Sequence, residues 1–492
     1  MSEVRARQIV LAARPQGRPK PSDFRLEETE IPTPSAGQVL LRVEYLSLDP
    51  YMRGRMDDRK SYATPVPLGG VMQGESVAVV IASKHSAYTE GDIVLALTGW
   101  RTHALSDRAD LRKLDPAVAP VTTGLGVLGM PGFTAYGGLR MIGKPKPGET
   151  VVVAAASGPV GSLVGQLAKI GGARAVGIAG GPEKCAYVKD ELRFDAAIDH
   201  RGADFASKLA AACPGGIDVY FENVGGAIWQ AVLPLLNKFA RVPVSGLIAQ
   251  YSSVAKGDGI DRLPATMRAI LSNSVTVRGF LNYEFAAEHY PTFLREVGAG
   301  IADGRIRYRE DFVDGLENAP EAFIGMLEGR NFGKLIVRVG ALTAKKETHM
   351  KIPQSVRELL PKAPLAHLTT LNSDGGPQVT VVWVGIENEE FVIGHMAPHK
   401  KVRNVRRDPR VALSLLGDKT TAKGLREYVV IYGNARVTEG GAVDLLQRLA
   451  RIYLGPDAEY PPAAMRNIPG YITRITPTHF AGVGPWNTEG AE

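Results

Sequence analysis

The segment Val151-Val152-Val153-Ala154-Ala155-Ala156-Ser157-Gly158-Pro159-Val160-Gly161 constrains the fold more than any other part of the chain. An apolar run long enough for one buried strand meets a glycine-marked turn, and a helix with small or apolar early positions follows. Gly158 lets the backbone approach a pyrophosphate, and Gly161 lets the helix pack closely on the strand it leaves. Unpaired N–H groups at the helix start, with about half a positive charge there, hold an anion. A strict dinucleotide fingerprint has one more glycine, at the position of Ala156. An ordinary strand-to-helix turn has the same outline, but the strand and helix on either side favour nucleotide binding.

The surrounding pattern extends that unit. Strand-like runs at 149–155, 175–179, 218–222, 240–245 and 274–280 alternate with helical ones at 160–170 and 182–192, which predicts a doubly wound parallel sheet. Before residue 128 the chain is β-rich, with alternating runs such as Val39-Leu40-Leu41-Arg42-Val43 and Val77-Ala78-Val79-Val80-Ile81 between Gly, Pro and Asp turns. β character returns at 305–340, as expected if the chain leaves its first domain and comes back to it. The polar stretch 343–349 reads as part of a linker, 343–352, and Met350 opens what reads like a fresh N-terminus. A second β-rich region, 353–492, contains a hairpin around Asn372-Ser373-Asp374-Gly375-Gly376-Pro377 and a helix over 442–454. The expected fold class is therefore α/β plus β. Its domains are 1–128 with 305–342, then 129–304, then 353–492. A chain of 492 residues is too long for one core, in keeping with three domains.

Bulk properties exclude several function classes. Cys185 and Cys213 cannot build a disulfide framework or a four-ligand zinc site, and the nine histidines are scattered, so no metal is expected. There is no long apolar run and no secretory leader, so the chain is expected to span no membrane and to be cytoplasmic. The net charge of +7 is thinly spread except for one knot, His399 to Arg410, and no groove-reading motif accompanies it. That favours a small anion over nucleic acid. The second strand of the nucleotide unit ends in Gly180-Gly181-Pro182-Glu183-Lys184. An NAD site expects an acidic residue there to bind the ribose. The glycines leave room and Lys184 can neutralise a 2′-phosphate, which points to NADPH, with Glu183 as a possible ribose acceptor.

Five motifs then fall in family order. Ser47-Leu48-Asp49-Pro50-Tyr51-Met52-Arg53, Gly129-Met130-Pro131-Gly132-Phe133-Thr134-Ala135-Tyr136, the 155–165 turn and helix, Tyr220-Phe221-Glu222-Asn223-Val224-Gly225-Gly226 and Asn331-Phe332-Gly333-Lys334 resemble the prostaglandin/leukotriene reductases. These are zinc-independent medium-chain dehydrogenases/reductases, and the resemblance covers residues 5–340. It implies a GroES-like substrate domain, a Rossmann domain, and NADPH-dependent reduction of the carbon–carbon double bond of an enone, enal or quinone. By matching motif, Ser157, Gly158, Val160, Gly161 and Lys184 would hold the phosphates, and Asn223, Phe280 and Asn331 would line the adenosine and nicotinamide ends. Tyr251 matches the tyrosine beside the nicotinamide ribose and substrate carbonyl, and so is the candidate donor to the developing enolate; Tyr51 and Tyr136 would line the pocket. One departure is Asp199-His200-Arg201, where relatives commonly carry Asn-Tyr-Lys. The 2′-phosphate contact of that tyrosine then passes to His200, with Arg201 available to compensate.

In the last region, the knot His399-Lys400-Lys401-Val402-Arg403-Asn404-Val405-Arg406-Arg407-Asp408-Pro409-Arg410 suits a phosphate on a flat ring system, although a solvated basic helix looks much the same. With Gly376-Pro377-Gln378-Val379-Thr380 it resembles the split-barrel family related to pyridoxamine-phosphate oxidase. The branch using the deazaflavin coenzyme F-420 is the most similar, with FMN as the alternative. That branch would gather Gln378, Thr380, His399, Lys401 and Asn404 around the cofactor. Arg403 and its neighbours suit an oligoglutamate tail. The family also implies a homodimer with the cofactor at the subunit interface. The whole chain then reads as a fusion of two reductases that could exchange hydride between NADPH and F-420. The other reading makes the barrel a non-catalytic binding module, since it has no obvious acid or base.

Overall fold

Apolar strands, each needing both faces covered, build the centre of the first half. In the computed structural model, which describes residues 5–107, 111–252, 261–339, 351–362, 364–372, 375–421 and 424–486, six parallel strands lie in one sheet. Across the sheet they run Ala196–Asp199, Arg174–Ala179, Thr150–Ala154, Ile217–Phe221, Leu236–Val244 and Thr276–Gly279, the doubly wound order 3-2-1-4-5-6. Thr150–Ala154 is buried at every position, as a central parallel strand must be. The helix Pro159–Ile170 buries a continuous stretch from Gly161 to Ala168. Within it the buried Gln166 accepts from Arg307 N at 2.8 Å and donates to Arg307 O at 2.9 Å, so its amide meets no unsatisfied partner.

A second, mostly antiparallel sheet precedes and follows these strands in sequence. Its order is Glu310–Asp314, Lys334–Arg338, Val39–Ser47, Ser76–Ser83, Ile93–Ala96 and Arg112–Lys113. The returning strand pairs Ile336 with Ser47 and Arg338 with Tyr45. Beneath it Phe24 stacks on Trp100 at 5.7 Å and Phe323 meets Trp100 edge-on at 5.6 Å, the favoured arrangements for aromatic pairs.

At the seam of that sheet, Lys334 Nζ donates to Ser47 Oγ at 2.6 Å, Leu48 O at 2.9 Å and Asp49 Oδ1 at 2.6 Å. Both charged side chains are buried. Ser47 Oγ donates in turn to the other oxygen of Asp49. Three ammonium protons therefore find three acceptors, the condition under which a buried charge pair is tolerated.

The chain divides into two compact units, Met1–Leu342 and Thr343–Glu492. In the second, seven antiparallel strands run in the order Pro377–Val382, Ala366–Leu371, Arg410–Thr420, Arg426–Glu439, Tyr471–Val483, Glu390–His395, Gly385–Glu387. Inward residues alternate with outward ones, as on Arg426–Glu439, where Val429, Ile431 and Ala435 are buried. The helix Ala442–Tyr453 packs on the sheet through Trp383, whose ring stacks on Tyr453 at 5.5 Å. The fold is thus α/β plus β, with a second unit built on one antiparallel sheet of split-barrel form. The basic knot forms the helix Lys400–Arg407, with Asn404 inside it. The polar stretch 343–349 and Ser373-Asp374 of the hairpin turn lie outside the described residues.

Replacing Lys334 by Met should leave Asp49 buried without its partner and cost about 3–5 kcal/mol of stability. The cost would be read as a lower denaturation midpoint, partly recovered in a Lys334→Met, Asp49→Leu double variant.

Candidate functional site

The first strand of the parallel sheet ends at Ala154, and the turn after it is tight. Ala155 carries a φ of +52°, a left-handed conformation costing an L-residue on the order of 1 kcal/mol. The strained position is therefore 155, one residue before the Ala156 that departs from the glycine fingerprint. Ala156 N donates to Ile178 O at 3.0 Å, and Gly158 N donates to Ala155 O at 3.0 Å. The helix begins at Pro159, so the first-turn N–H groups of Val160 and Gly161 have no acceptor within it. A Cβ on Gly161 would lie 2.4 Å from Ala155 O and 2.8 Å from Ala156 Cα, so the close approach admits no side chain. Ser157 is buried in the same turn. Asn223 crosses the ends of three strands: its Nδ2 donates to Ala154 O at 2.9 Å, and Ser245 Oγ donates to its Oδ1 at 2.5 Å.

At the end of the second strand, Gly180 and Gly181 lie under two side chains from the end of the third. A Cβ on Gly180 would come within 3.1 Å of both His200 Nε2 and Arg201 Nε. Asp199 is turned away and spent on the backbone, accepting from Gly181 N at 2.9 Å and Arg201 N at 3.0 Å. Lys184 approaches from the helix Pro182–Ala186 and donates to Gly329 O at 2.7 Å and Asn331 O at 2.6 Å, leaving one ammonium proton. Asn331 Nδ2 donates to Gly333 O at 2.8 Å. Partial burial and the Arg201 cation hold Lys184 below its ordinary pKa, and burial, Arg201 and Lys184 do the same to His200. His200 and Arg201 thus close over a glycine loop whose acidic neighbour, Asp199, accepts from the loop's own backbone, with Lys184 in electrostatic range of both, and the set fits a phosphate monoester.

A third cluster holds the tyrosines. Tyr251 ends the short helix Ile248–Tyr251, and its oxygen accepts from Leu247 N at 3.4 Å. The Arg55 guanidinium stands 4.3 Å from the Tyr62 ring centre and 5.6 Å from that of Tyr51. Burial raises the Tyr251 pKa, with Tyr62 adding to the rise and Arg55 opposing it, so the three groups share one neighbourhood. Burial and the nearby Asp49 and Glu75 carboxylates push Tyr51 up as well. Glu75 is itself raised to about 7 by burial and Asp49, against the pull of Arg112 and Lys334. Arg55, Tyr62 and Glu75 are missing from the sequence-predicted set. Arg55 was within reach, one helical turn after Tyr51, whereas Tyr62 and Glu75 sit in patterns that give no signal.

Two predicted residues lie apart from this cluster. The Phe280 ring packs in the core, edge-on to Phe221 at 6.2 Å and close over Gly138. Tyr136 is also a core residue, beside Phe293, with its hydroxyl donating to Glu296 Oε2 at 3.1 Å.

In the second unit, Asn404 is buried, and its Nδ2 lies within hydrogen-bond reach of Gln378 Oε1 at 2.9 Å, Thr370 Oγ1 at 3.0 Å and Asn372 Oδ1 at 3.1 Å. Two protons serve three acceptors. Thr380 Oγ1, on the same face of its strand as Gln378, is buried without a hydrogen-bond partner. Such an orphan, beside an oversubscribed amide, fits a site that takes a polar ligand. Lys401 is half-buried and lowered in pKa by that burial. It faces His395, which is pushed down to about 3 by burial and by the Lys401 and His399 charges and pairs with Thr473 Oγ1 at 2.9 Å. His399 is exposed at the helix start, and Arg403 folds back to donate to Pro398 O at 2.7 Å.

Among the described residues, no three His, Cys, Asp or Glu side chains are grouped to hold a metal ion, and no helix is long and apolar enough to cross a membrane.

Comparison with known proteins fits this division. Residues 7–114 match the model of the N-terminal domain of oxidoreductases, 159–299 that of zinc-binding dehydrogenases, and 352–483 that of pyridoxamine 5′-phosphate oxidase. The NADPH-dependent curcumin reductase of Escherichia coli is 52% identical over 335 residues, 68% of this chain and 97% of that one. Prostaglandin reductase 1 of Sus scrofa is 40% identical, again over 68% of this chain and 99% of the relative. The crystal structure of CurA from Vibrio vulnificus in complex with NADPH superposes with a TM-score of 0.66 at 52% identity, covering 68% of this chain and 99% of that one. The chain therefore belongs, through its first unit, to the medium-chain dehydrogenase/reductase family of the curcumin and prostaglandin reductases, and carries a pyridoxamine-phosphate-oxidase-like domain after it.

Proposed function

We propose that the first unit uses NADPH to reduce the carbon–carbon double bond of an α,β-unsaturated ketone or aldehyde, or of a related quinone. On this reading residues 129–304 hold the cofactor, and residues 1–128 with 305–342 cover the substrate. The observation that carries it is the closing of His200 and Arg201 over Gly180-Gly181, with Lys184 in electrostatic range, a cradle for a phosphate where a ribose-binding carboxylate would otherwise stand. The names of the curcumin and prostaglandin reductases support the same chemistry.

Bound NADPH supplies a hydride for the β-carbon of the substrate. The chain supplies the rest. Ser157, Gly158, Val160 and Gly161 receive the pyrophosphate at the helix start. Asn223 and Asn331 line the two ends of the dinucleotide, and Phe280 contributes through its backbone at the edge of the sheet. Tyr251, kept protonated by burial, donates its O–H to the substrate oxygen on which negative charge develops. Arg55 adds positive potential beside it, and Tyr51 and Tyr62 flank the substrate. Tyr136 supports the pocket from the core.

For the second unit the same proposal assigns F-420, with FMN as the alternative, to the site around Gln378, Thr380, Lys401 and Asn404. The orphaned Thr380 hydroxyl and the crowded Asn404 amide support a ligand there. Val379, Val381, Leu416, Tyr428 and Tyr432 are exposed on its sheet and support a homodimer through that face.

Tyr251→Phe should lower kcat/KM for an enone by about tenfold or more with NADPH binding retained. The rate of NADPH absorbance loss, with a separate cofactor titration, measures both, and an unchanged rate removes Tyr251 from the mechanism. The absorbance spectrum of the purified protein, with FMN or F-420 added, identifies the cofactor of the barrel. Asn404→Ala should weaken its binding by roughly tenfold or more, through loss of a buried hydrogen-bonding group. Bleaching of the deazaflavin band on adding NADPH would establish hydride exchange between the two cofactors.

A further inference from the structure

The tyrosine cluster of the first unit holds a buried cation that the fold leaves without a counter-ion. Arg55 closes the short helix Met52–Arg55 and is 5% exposed, yet its guanidinium is in no ion pair and no hydrogen bond among the described residues. We infer that Arg55 is a specificity residue whose counter-ion is a carboxylate on the substrate, so that the preferred substrate is an enone carrying a carboxylate a few bonds from its ketone. This rests on the reductase reading above.

The local structure places the guanidinium between two rings. Tyr51 and Arg55 stand four residues apart, on one face of the helix, and the guanidinium lies 5.6 Å from the Tyr51 ring centre. The chain then loops back, and Val66 N donates to Arg55 O at 2.8 Å. That loop brings the exposed Tyr62 ring to 4.3 Å from the same guanidinium. Arg53, two residues earlier and 3% exposed, is treated differently: it donates to Asp57 Oδ1 at 2.6 Å and to Gly17 O at 2.8 Å. Asp57 also takes Arg59 at 3.1 Å. Asp49 is held by Lys334, and the cations that act on Glu75 are Arg112 and Lys334. None of these three carboxylates serves Arg55.

Ring faces recover only part of what a guanidinium loses on leaving water, and they leave its five N–H donors unused. An arriving carboxylate supplies what is missing, because its two oxygens match the flat fork in parallel, which a single carbonyl oxygen cannot do. The two rings confine that carboxylate to the guanidinium edge. Tyr251 lies within electrostatic range of Arg55, so a ketone oxygen at the Tyr251 hydroxyl and a carboxylate at Arg55 fit one small molecule. In the reaction the β-carbon gains the hydride of NADPH, the α-carbon gains a proton, and NADP+ is left. The carboxylate is unchanged and serves only to hold the substrate.

The probes are β-cinnamoylpropionate, a styryl ketone with its carboxylate two methylenes beyond the carbonyl, and its methyl ester, which has the same double bond without the charge. The full chain is assayed by loss of NADPH absorbance. In wild type kcat/KM for the acid should exceed that for the ester by about tenfold or more, with most of the difference in KM. Arg55→Met should bring the ratio to about one, with NADPH affinity in a separate titration as in wild type, whereas Arg55→Lys, which keeps the charge without the fork, should retain a preference of about threefold. Equal values for acid and ester in wild type, or a ratio unmoved in both variants, would overturn the role of Arg55 and leave the reductase reading intact. Weaker NADPH binding in Arg55→Met with the acid preference kept would assign the cation to the cofactor, and overturns the inference as well. The wild-type comparison needs no variant, so it decides the matter even if Arg55→Met does not fold. Consumption of NADPH with neither compound would overturn both readings.

Discussion

A lysine ammonium inside an apolar sheet has to be answered proton by proton, and the first unit is arranged around that requirement. Lys334 comes from a strand formed after the chain has completed its parallel sheet and returned. Its three acceptors come from consecutive residues, Ser47, Leu48 and Asp49, at the end of a strand laid down near the beginning. A slip of the returning strand by one residue would put the ammonium on the other face of the sheet, against no acceptor. The pair therefore fixes a register as well as a contact. Because Asp49 is two residues before Tyr51, the same constraint sets the height from which Tyr51 and Arg55 enter the cluster with Tyr62 and Tyr251.

How much of this can be read in the sequence follows from the range of the forces involved. The central parallel strands are continuous apolar runs because both faces are covered, and four of the six strands begin and end within two residues of the expected runs, whereas Leu236–Val244 starts four residues earlier than expected and Ala196–Asp199 gives no apolar run that a local pattern would pick out. The return of 305–340 to the first sheet is legible as β character, whereas its partner strand is not. Pairing Ile336 with Ser47 is a matter of tertiary register, which no local pattern encodes. Local strain is equally hidden. The glycine fingerprint draws the eye to Ala156, yet the left-handed residue is Ala155.

Side-chain direction is the other quantity a linear pattern leaves open. Phe280 and Tyr136 stand in or beside family motifs, and yet their rings serve the core, because an aromatic ring at the edge of a packed sheet gains more by burial than by waiting for a ligand. The basic knot of the second unit behaves similarly. Its charge is evident from composition. In the fold, Arg403 is folded onto Pro398 O, Arg410 pairs with Asp408 at 2.7 Å, and Arg407 reaches the backbone of Leu371 and, at 3.3 Å, Asn404 Oδ1. Besides Val402 and Val405, what turns inward from the knot is an uncharged amide, Asn404, and one half-buried lysine.

The two units hold their clustered basic groups in different settings. In the first, His200 and Arg201 stand exposed at a loop edge, while Lys184 is half-buried against two backbone carbonyls and holds its proton less tightly than usual. The second buries Lys401 and His395 within electrostatic range of one another, and both respond by holding protons less tightly. A cation in that position favours whatever brings negative charge to it, since an anion would offset the desolvation that lowers its pKa. His395 is already engaged with Thr473 and lies too far below neutrality to be recruited. Lys401, displaced only by burial and in no ion pair among the described residues, is the residue through which an anionic cofactor would gain most. That separates Lys401 from the exposed arginines on the same helix, since Arg403 and Arg407 donate to carbonyl oxygens and Arg406 lies over the Tyr471 ring at 5.2 Å.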